Sequence, residues 1–425
     1  MQYTADFISR VIGAGEIVCT NNQDIYLSSG KPKINYSNQP VSANEVWIKP
    51  HTLLFENEIK EQAISCFSCN GFKAFFKTEG HISFDIFAAI FYLLSRYEEY
   101  LPHQKDMYGR YAHQNSLAYR EGFLQQPLIN YWLEHFKFKL LEKFPGAGFP
   151  VQSFMFLPTY DIDEAYSYKE KQWWRTAGGF VKSVIKGQWI GITERLQVLR
   201  GSKPDPYDAF RWMNELHDRY GLKPFYFFLV AEKNGRYDKN ILPVKKALQQ
   251  LIRQHFNRYA AGIHPSWQSG DDPRIISKEK LLLEKIAGKK IIRSRQHYIR
   301  FSLPETFRQL IAAGIQYDFS MGYGSCNGFR ASVASPFYWY DLPREETTSL
   351  LLYPFCFMDA NSFYEQRQSP GETLKEMLQY YSIVKSVNGA MITIWHNSFL
   401  GTEPRFEGWR EIYESFVKAI STQEG

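Results

Sequence analysis

The segment Thr159-Tyr160-Asp161-Ile162-Asp163 ends an apolar run that begins at Phe156, so it reads as a buried strand running into two carboxylates one residue apart. Side chains alternate along a strand, which puts Asp161 and Asp163 on the same side at its C-terminal end. Two acids held that close repel each other unless a cation intervenes. A metal ion would leave one as ligand and the other as base; the alternative is that Asp163 caps a loop while Asp161 pairs with an arginine. Further along, His264, Arg295, His297, Asp318, Asp359 and His396 each stand at the end of another apolar stretch. Of the ten histidines, four lie beyond His217, and three of those four are at such strand ends. Three histidines opposite paired aspartates favour metal-assisted hydrolysis over structural packing.

The elements that must carry these residues alternate. Strand-like stretches at 156–163, 224–230, 259–264, 290–298, 315–320, 350–357 and 390–396 are separated by helical patterns at 205–220, 243–255, 278–286, 304–313 and 373–387. The stretch 171–200 reads as a largely helical insertion near the site. Seven β-then-α units with mostly apolar strands predict an α/β fold in which a parallel sheet closes, or nearly closes, into a barrel. Its C-terminal rim would bear the site.

Residues 1–150 read as a smaller α+β unit, with strand-like pieces at 45–48 and 53–55 and helices at 83–96 and 127–144. The run Pro145-Gly146-Ala147-Gly148-Phe149-Pro150 breaks the pattern, which places a domain boundary there. Nothing upstream gathers catalytic residue types. The first unit is therefore expected to be accessory, and 151–425 is expected to fold without it.

Composition narrows the function classes. With 44% hydrophobic and 22% charged residues the chain is globular, and its 425 residues fit two domains. A net charge of +6 with no block of basic residues argues against nucleic acid as a partner. The start of the chain lacks a signal-peptide pattern, and no apolar stretch approaches the ~20 residues that span a bilayer. Five cysteines fit a reducing compartment, so a cytoplasmic location is expected. Cys66 and Cys69 have no second pair at zinc spacing and read as two thiols.

Over about residues 151–400 these motifs resemble the polysaccharide deacetylases with NodB homology, carbohydrate esterase family four. Thr159-Tyr160-Asp161-Ile162-Asp163 looks like that family's Thr-Phe-Asp-Asp motif with an inserted residue. Arg295-Gln296-His297-Tyr298 is similar to its Arg-x-Pro-Tyr motif, and Ile394-Trp395-His396 to its late Leu-x-His motif. His264 matches the first histidine of a His-Ser/Thr-x-x-His motif, but Gln268 stands where the second would be. The stretch from Tyr317 through Arg330 resembles a bacterial branch that carries an N-terminal domain of unknown function.

The resemblance implies a distorted (β/α)7 barrel, a divalent metal, zinc by preference, and hydrolysis of N-acetyl groups on amino sugars of a polysaccharide or its precursor. It implies Asp161 as base, Arg295 orienting it, the backbone N–H of Tyr298 at the oxyanion and His396 as acid. Asp163 and His264 would be metal ligands. His297 is either the third ligand or a hydrogen-bond partner of Asp161. Trp267, Tyr323, Trp339, Asp318 and Arg330 are the expected sugar contacts. Because the second histidine of the motif is missing, a catalytically inactive carbohydrate-binding form is the first alternative, and a barrel glycosidase is the second.

Overall fold

The computed structural model describes residues 1–150, 152–171 and 189–422. Most of the expected insertion, residues 172–188, lies outside the described residues; the helix Trp189–Leu199 follows it.

The first part of the chain contains the helix Gln2–Ile12, a short parallel pair β1 (Ile34–Tyr36) and β2 (Val46–Ile48), and a hairpin β3 (Phe67–Cys69) and β4 (Phe72–Ala74). Residues 53–55, expected as a strand, form the 3-10 turn Thr52–Phe55 instead. Every residue of the helix Ile86–Leu94 is buried, so this part of the chain is organised around it. Asp85 caps that helix through the Ala88 N–H at 3.0 Å, and its other oxygen accepts from Tyr36 and His51, both at 2.6 Å. The helix Leu128–Lys143 completes this part.

The rest is a nine-stranded sheet with helices packed on it. Its strands are β5 (Met155–Ile162), β6 (Phe225–Leu229), β7 (Ala260–His264), β8 (Arg293–Ser294), β9 (Tyr317–Asp318), β10 (Phe337–Asp341), β11 (Glu346–Leu352), β12 (Phe357–Met358) and β13 (Ala390–His396). They lie in the order β10-β11-β9-β8-β7-β6-β5-β13-β12, parallel throughout except for β10 against β11. The class is therefore α/β, as expected, but no ladder among the described residues closes the sheet into a barrel.

The reason lies in the apolar run at 350–357, expected as one strand. Pro354 has no N–H to give to a ladder, and the run divides there into β11 beside β9 and β12 beside β13. Residues 353–356 cross between the two ends of the sheet, with the Tyr353 N–H on the Asp318 carbonyl at 2.8 Å and the Cys356 N–H on the Ile392 carbonyl at 3.2 Å. A broken strand thus spans the seam that an unbroken one would have sealed.

The first 150 residues and the sheet share one core, which runs from Tyr3 through Phe136 to Ile420. Buried Arg330 donates to Glu99 through Nε at 2.8 Å and Nη2 at 2.6 Å, and buried Arg96 donates to Glu99 at 2.8 Å. Burial works against ionising Glu99, yet the two guanidinium groups hold it down at about 2. The Ile129 N–H meets the Ser332 carbonyl at 3.0 Å, and Phe329 N–H the Leu124 carbonyl at 2.8 Å. The break at 145–150 is a junction in the chain, while the packing continues across it.

Candidate metal and catalytic site

Strand register sets the site. On the β13–β5 ladder His396 is paired with Asp161, and on the β6–β7 ladder Leu229 with His264, so the strand ends that carry polar residues are level. β7 lies unusually close to β8 because Gly262 has no side chain: a Cβ there would stand 2.5 Å from the Arg293 carbonyl oxygen. That approach lets the His264 Nδ1 donate to the Arg295 carbonyl at 2.5 Å.

Three imidazoles aim their Nε2 atoms at Asp163. His264 Nε2 lies 3.1 Å from Oδ1, His297 Nε2 3.3 Å from Oδ2, and His396 Nε2 3.5 Å from Oδ2. Each ring has its other nitrogen occupied. His264 uses Nδ1 on the Arg295 carbonyl, His297 meets the Asp238 carboxylate at 3.0 Å, and His396 meets the Asp359 carboxylate at 2.6 Å. A ring that spends its Nδ1 proton in this way turns Nε2 to Asp163, where either a proton on the ring or a metal ion between nitrogen and carboxylate relieves the contact.

Asp163, His264 and His297 bring one ligand atom each within 4.8 Å of one another. Oδ1 of Asp163 is buried with no hydrogen-bond partner. Two histidines and a carboxylate, each imidazole oriented by an outer acceptor and one ligand oxygen orphaned, fit a divalent metal with positions left open. This is the set expected from the sequence, with His297 at the cluster and not on Asp161. Without a metal, burial opposes ionising Asp163, but the charge of His297 and the closeness of His264 hold it well below the usual carboxylate range. His297 is correspondingly pushed up to about 9; burial works against this, and Asp163 outweighs it.

Asp161 is buried, whereas Asp163 is half-buried, and its partners differ. Arg295 Nη1 donates to Oδ1 at 2.9 Å, while Oδ2 lies 3.7 Å from His264 Nε2. Arg295 is wholly buried, donates through Nε to the Phe319 carbonyl at 3.0 Å, and lies 4.6 Å from the centre of the Phe227 ring. Its guanidinium thus neutralises Asp161 and is fixed by a carbonyl and an aromatic face. His396, on the next strand, is raised to about 10. Burial opposes this, and the Asp359 charge and hydrogen bond prevail. Tyr298 follows His297 in a left-handed backbone conformation, φ 59° and ψ 12°, uncommon for a non-glycine residue.

Among the expected sugar contacts, Trp267 is half-buried, 5.4 Å from Tyr298 between ring centres. The other four lie elsewhere. Trp339 is inside the core against Phe307, and Tyr323 is buried against His113 and Arg330. Arg330 is the buried partner of Glu99. Asp318 is fully buried, its oxygens taken by Ser294 at 2.7 Å and by the Ser320 N–H at 2.8 Å, and burial lifts it to about 6. Aromatic and charged residue types at strand ends do not by themselves distinguish rim from interior.

Two further carboxylates serve the site. Asp359, at a strand end, holds His396, a role its position in the sequence does not announce. Asp238 lies in the loop after β6, where no motif marks it. It accepts from the Trp267 N–H at 2.8 Å, from Gln268 Nε2 at 3.0 Å and from His297. Gln268, at the spacing of the missing histidine, therefore holds the carboxylate that holds a ligand. Asn240 ties the strand ends together by donating to the carbonyls of Ile162 at 3.1 Å and Leu229 at 2.9 Å.

Residues 1–145 match the model of a family of unknown function, DUF7033. No curated protein matches the chain. Among solved structures it is similar to a putative polysaccharide deacetylase from Mycobacterium smegmatis, with 12% identity and a TM-score of 0.41 over 64% of this chain and 86% of that one. A probable polysaccharide deacetylase from Pseudomonas aeruginosa PAO1 aligns with 11% identity and a TM-score of 0.41 over 65% and 90% of the two chains. A Puue allantoinase aligns with 10% identity and a TM-score of 0.42 over 64% and 86%. No helix among the described residues is long and apolar enough to cross a membrane.

Proposed function

We propose that the protein is a metal-dependent hydrolase that removes N-acetyl groups from amino sugars of a polysaccharide or its precursor. The observation that carries this reading is the convergence of three imidazole Nε2 atoms on Asp163, beside a second carboxylate held by a buried arginine.

Asp163, His264 and His297 would hold the ion, and the nitrogen and oxygen donors suit zinc. When bound, a divalent ion there polarises a carbonyl and lowers the pKa of water. Asp161 accepts the proton of the attacking water, and the hydrogen bond from Arg295 to its Oδ1 leaves Oδ2 toward the cluster. His396 enters charged, held so by Asp359, and gives its proton to the departing amine. The backbone N–H of Tyr298 is assigned to the oxyanion.

A glycosidase's two carboxyls flank the bond that is cleaved, whereas Asp161 and Asp163, one residue apart in the chain, both turn to the same nitrogen, His264 Nε2, at 3.7 and 3.1 Å, an arrangement that suits a shared cation better. The inactive binding-protein reading rested on the missing histidine of the motif, and His297 supplies a ligand in its place. Acetate release from N-acetylglucosamine oligomers by zinc-reconstituted protein tests the proposal. Release that disappears in Asp161→Asn is expected; release that is absent from the wild type, or unaffected by the substitution, contradicts it.

A further inference from the structure

The first 150 residues reach the site through one turn. The bridge between Lys105 and Tyr111 closes a loop in which Asp106 accepts from the backbone N–H of Tyr108 and of Arg110, both at 2.9 Å. Arg110 is buried, pairs with Asp106 through Nε at 2.6 Å, and donates through Nη1 to the Tyr298 carbonyl at 2.8 Å. Gly324 makes room for it, since a Cβ there would stand 2.0 Å from Nη1. The loop is thus bolted to the residue that follows His297.

Tyr108, at the turn, meets three aromatic residues of the sheet's rim. Its ring centre is 5.3 Å from Tyr298, 6.0 Å from Tyr237 and 6.1 Å from Trp267, and Tyr237 in turn lies 4.0 Å from Trp267. All four are half-buried. The cluster borders the metal ligand His297: the Tyr298 ring is 4.7 Å from the His297 ring, and the backbone N–H of Trp267 donates to Asp238, the carboxylate that holds His297. None of the three phenol hydroxyls has a hydrogen-bond partner among the described residues, and none is among the buried unpartnered atoms. A core cluster would bury its rings and satisfy its hydroxyls. Half-exposed faces with open hydroxyls at their edges instead suit a ligand that is apolar on one face and hydroxylated at its rim, which describes a pyranose ring.

We propose that Tyr108, Tyr237, Trp267 and Tyr298 form a subsite for a sugar ring next to the one that is hydrolysed, and that the loop around Tyr108 makes the first 150 residues part of the substrate cleft. The proposal deepens the deacetylase reading and rests on it for the kind of ligand. Its test uses binding, so that it fails or stands separately from turnover.

Metal-free, full-length protein is titrated with N-acetylglucosamine and with its β-1,4- and β-1,6-linked trimers, read by tryptophan fluorescence. At least one trimer is expected to bind the wild type more tightly than the monomer. Tyr108→Ala is expected to lose about tenfold in affinity for that trimer, the size of one stacked ring. Tyr108→Phe, which keeps the aromatic face, is expected to retain most of it. Unchanged melting temperature and zinc affinity in both variants separate a lost contact from a damaged fold. Equal binding of monomer and trimers, no binding of any, or trimer affinity untouched by Tyr108→Ala would overturn the proposal, whether or not the protein releases acetate.

Discussion

Nδ1 of His396 stands 2.6 Å from Oδ1 of Asp359, while the backbone N–H of His396 donates to Oδ2 of the same carboxylate at 2.7 Å. One buried acid therefore fixes both the position and the charge of the proposed general acid. A general acid works only while protonated, so activity falls as pH rises through its pKa. Asp359→Asn removes the charge that raises His396. The alkaline limb of the kcat profile is expected to move to lower pH in that variant. A limb that stays in place would detach His396 from the proton transfer.

Asp238 offers a second test, because among the described residues it meets the metal-ligand cluster through His297. An outer carboxylate orients its histidine and raises its basicity, and losing one typically costs ~10–100-fold in metal affinity. Asp238→Asn is expected to weaken zinc binding by that order in a chelator competition, with His297→Ala weakening it further. Equal affinity in wild type and Asp238→Asn would remove Asp238 from the site.

Much of this arrangement was legible in the chain. Asp161 and Asp163 declare themselves because strand alternation puts both on one face, and β5 and β13 were placed by their apolar runs. Asp238 was not legible, since a loop acid acquires its role only when β6 delivers it beside the end of β8. Pro354 is a readable signal: a proline inside an apolar run argues against one continuous strand, and the sheet divides there. The hairpin β10–β11, which buries Trp339, escaped because its first strand follows a stretch rich in glycine and serine. Burial separates Trp267 from Trp339, and burial is a property of the assembled fold.

Glu279 carries a stability prediction. It lies buried on the helix Pro273–Ala287, accepts from the Ser266 N–H at 2.9 Å, and burial raises it from 4.5 to about 7. Between those values the folded protein binds the proton that the unfolded chain has lost, so stability falls as pH rises through this window. Glu279→Gln abolishes the fall. Relative to the wild type, the variant is expected to gain up to roughly 3 kcal/mol at pH 8 compared with pH 4. Urea midpoints at both pH values check this; parallel pH profiles for the two proteins would contradict it.

Residues 151–425 expressed alone are expected to be insoluble or molten, contrary to the independence that the Pro/Gly-rich break suggests. Removing Glu99 strands Arg330 in the interior, and breaking a buried pair in this way costs ~3–5 kcal/mol. The shared apolar core would be exposed as well. A soluble fragment with a cooperative thermal transition would contradict this. Arg330→Met in the fragment separates the stranded charge from the lost packing.

The most direct measurement is the metal content of the wild type, Asp163→Ala and Asp161→Asn after stripping with chelator, reconstitution with zinc and desalting. Asp161 is on β5 and Asp163 directly follows it, but among the described residues only Asp163 brings a buried, unpartnered oxygen to the two ligand histidines. The wild type is expected to retain about one equivalent and Asp163→Ala essentially none. Asp161→Asn is expected to keep the metal while losing ~10²–10⁴ in rate, the usual cost of removing a general base. A wild type that retains no divalent metal, or an Asp163→Ala variant that retains as much as the wild type, would contradict the assignment of this cluster as a metal centre.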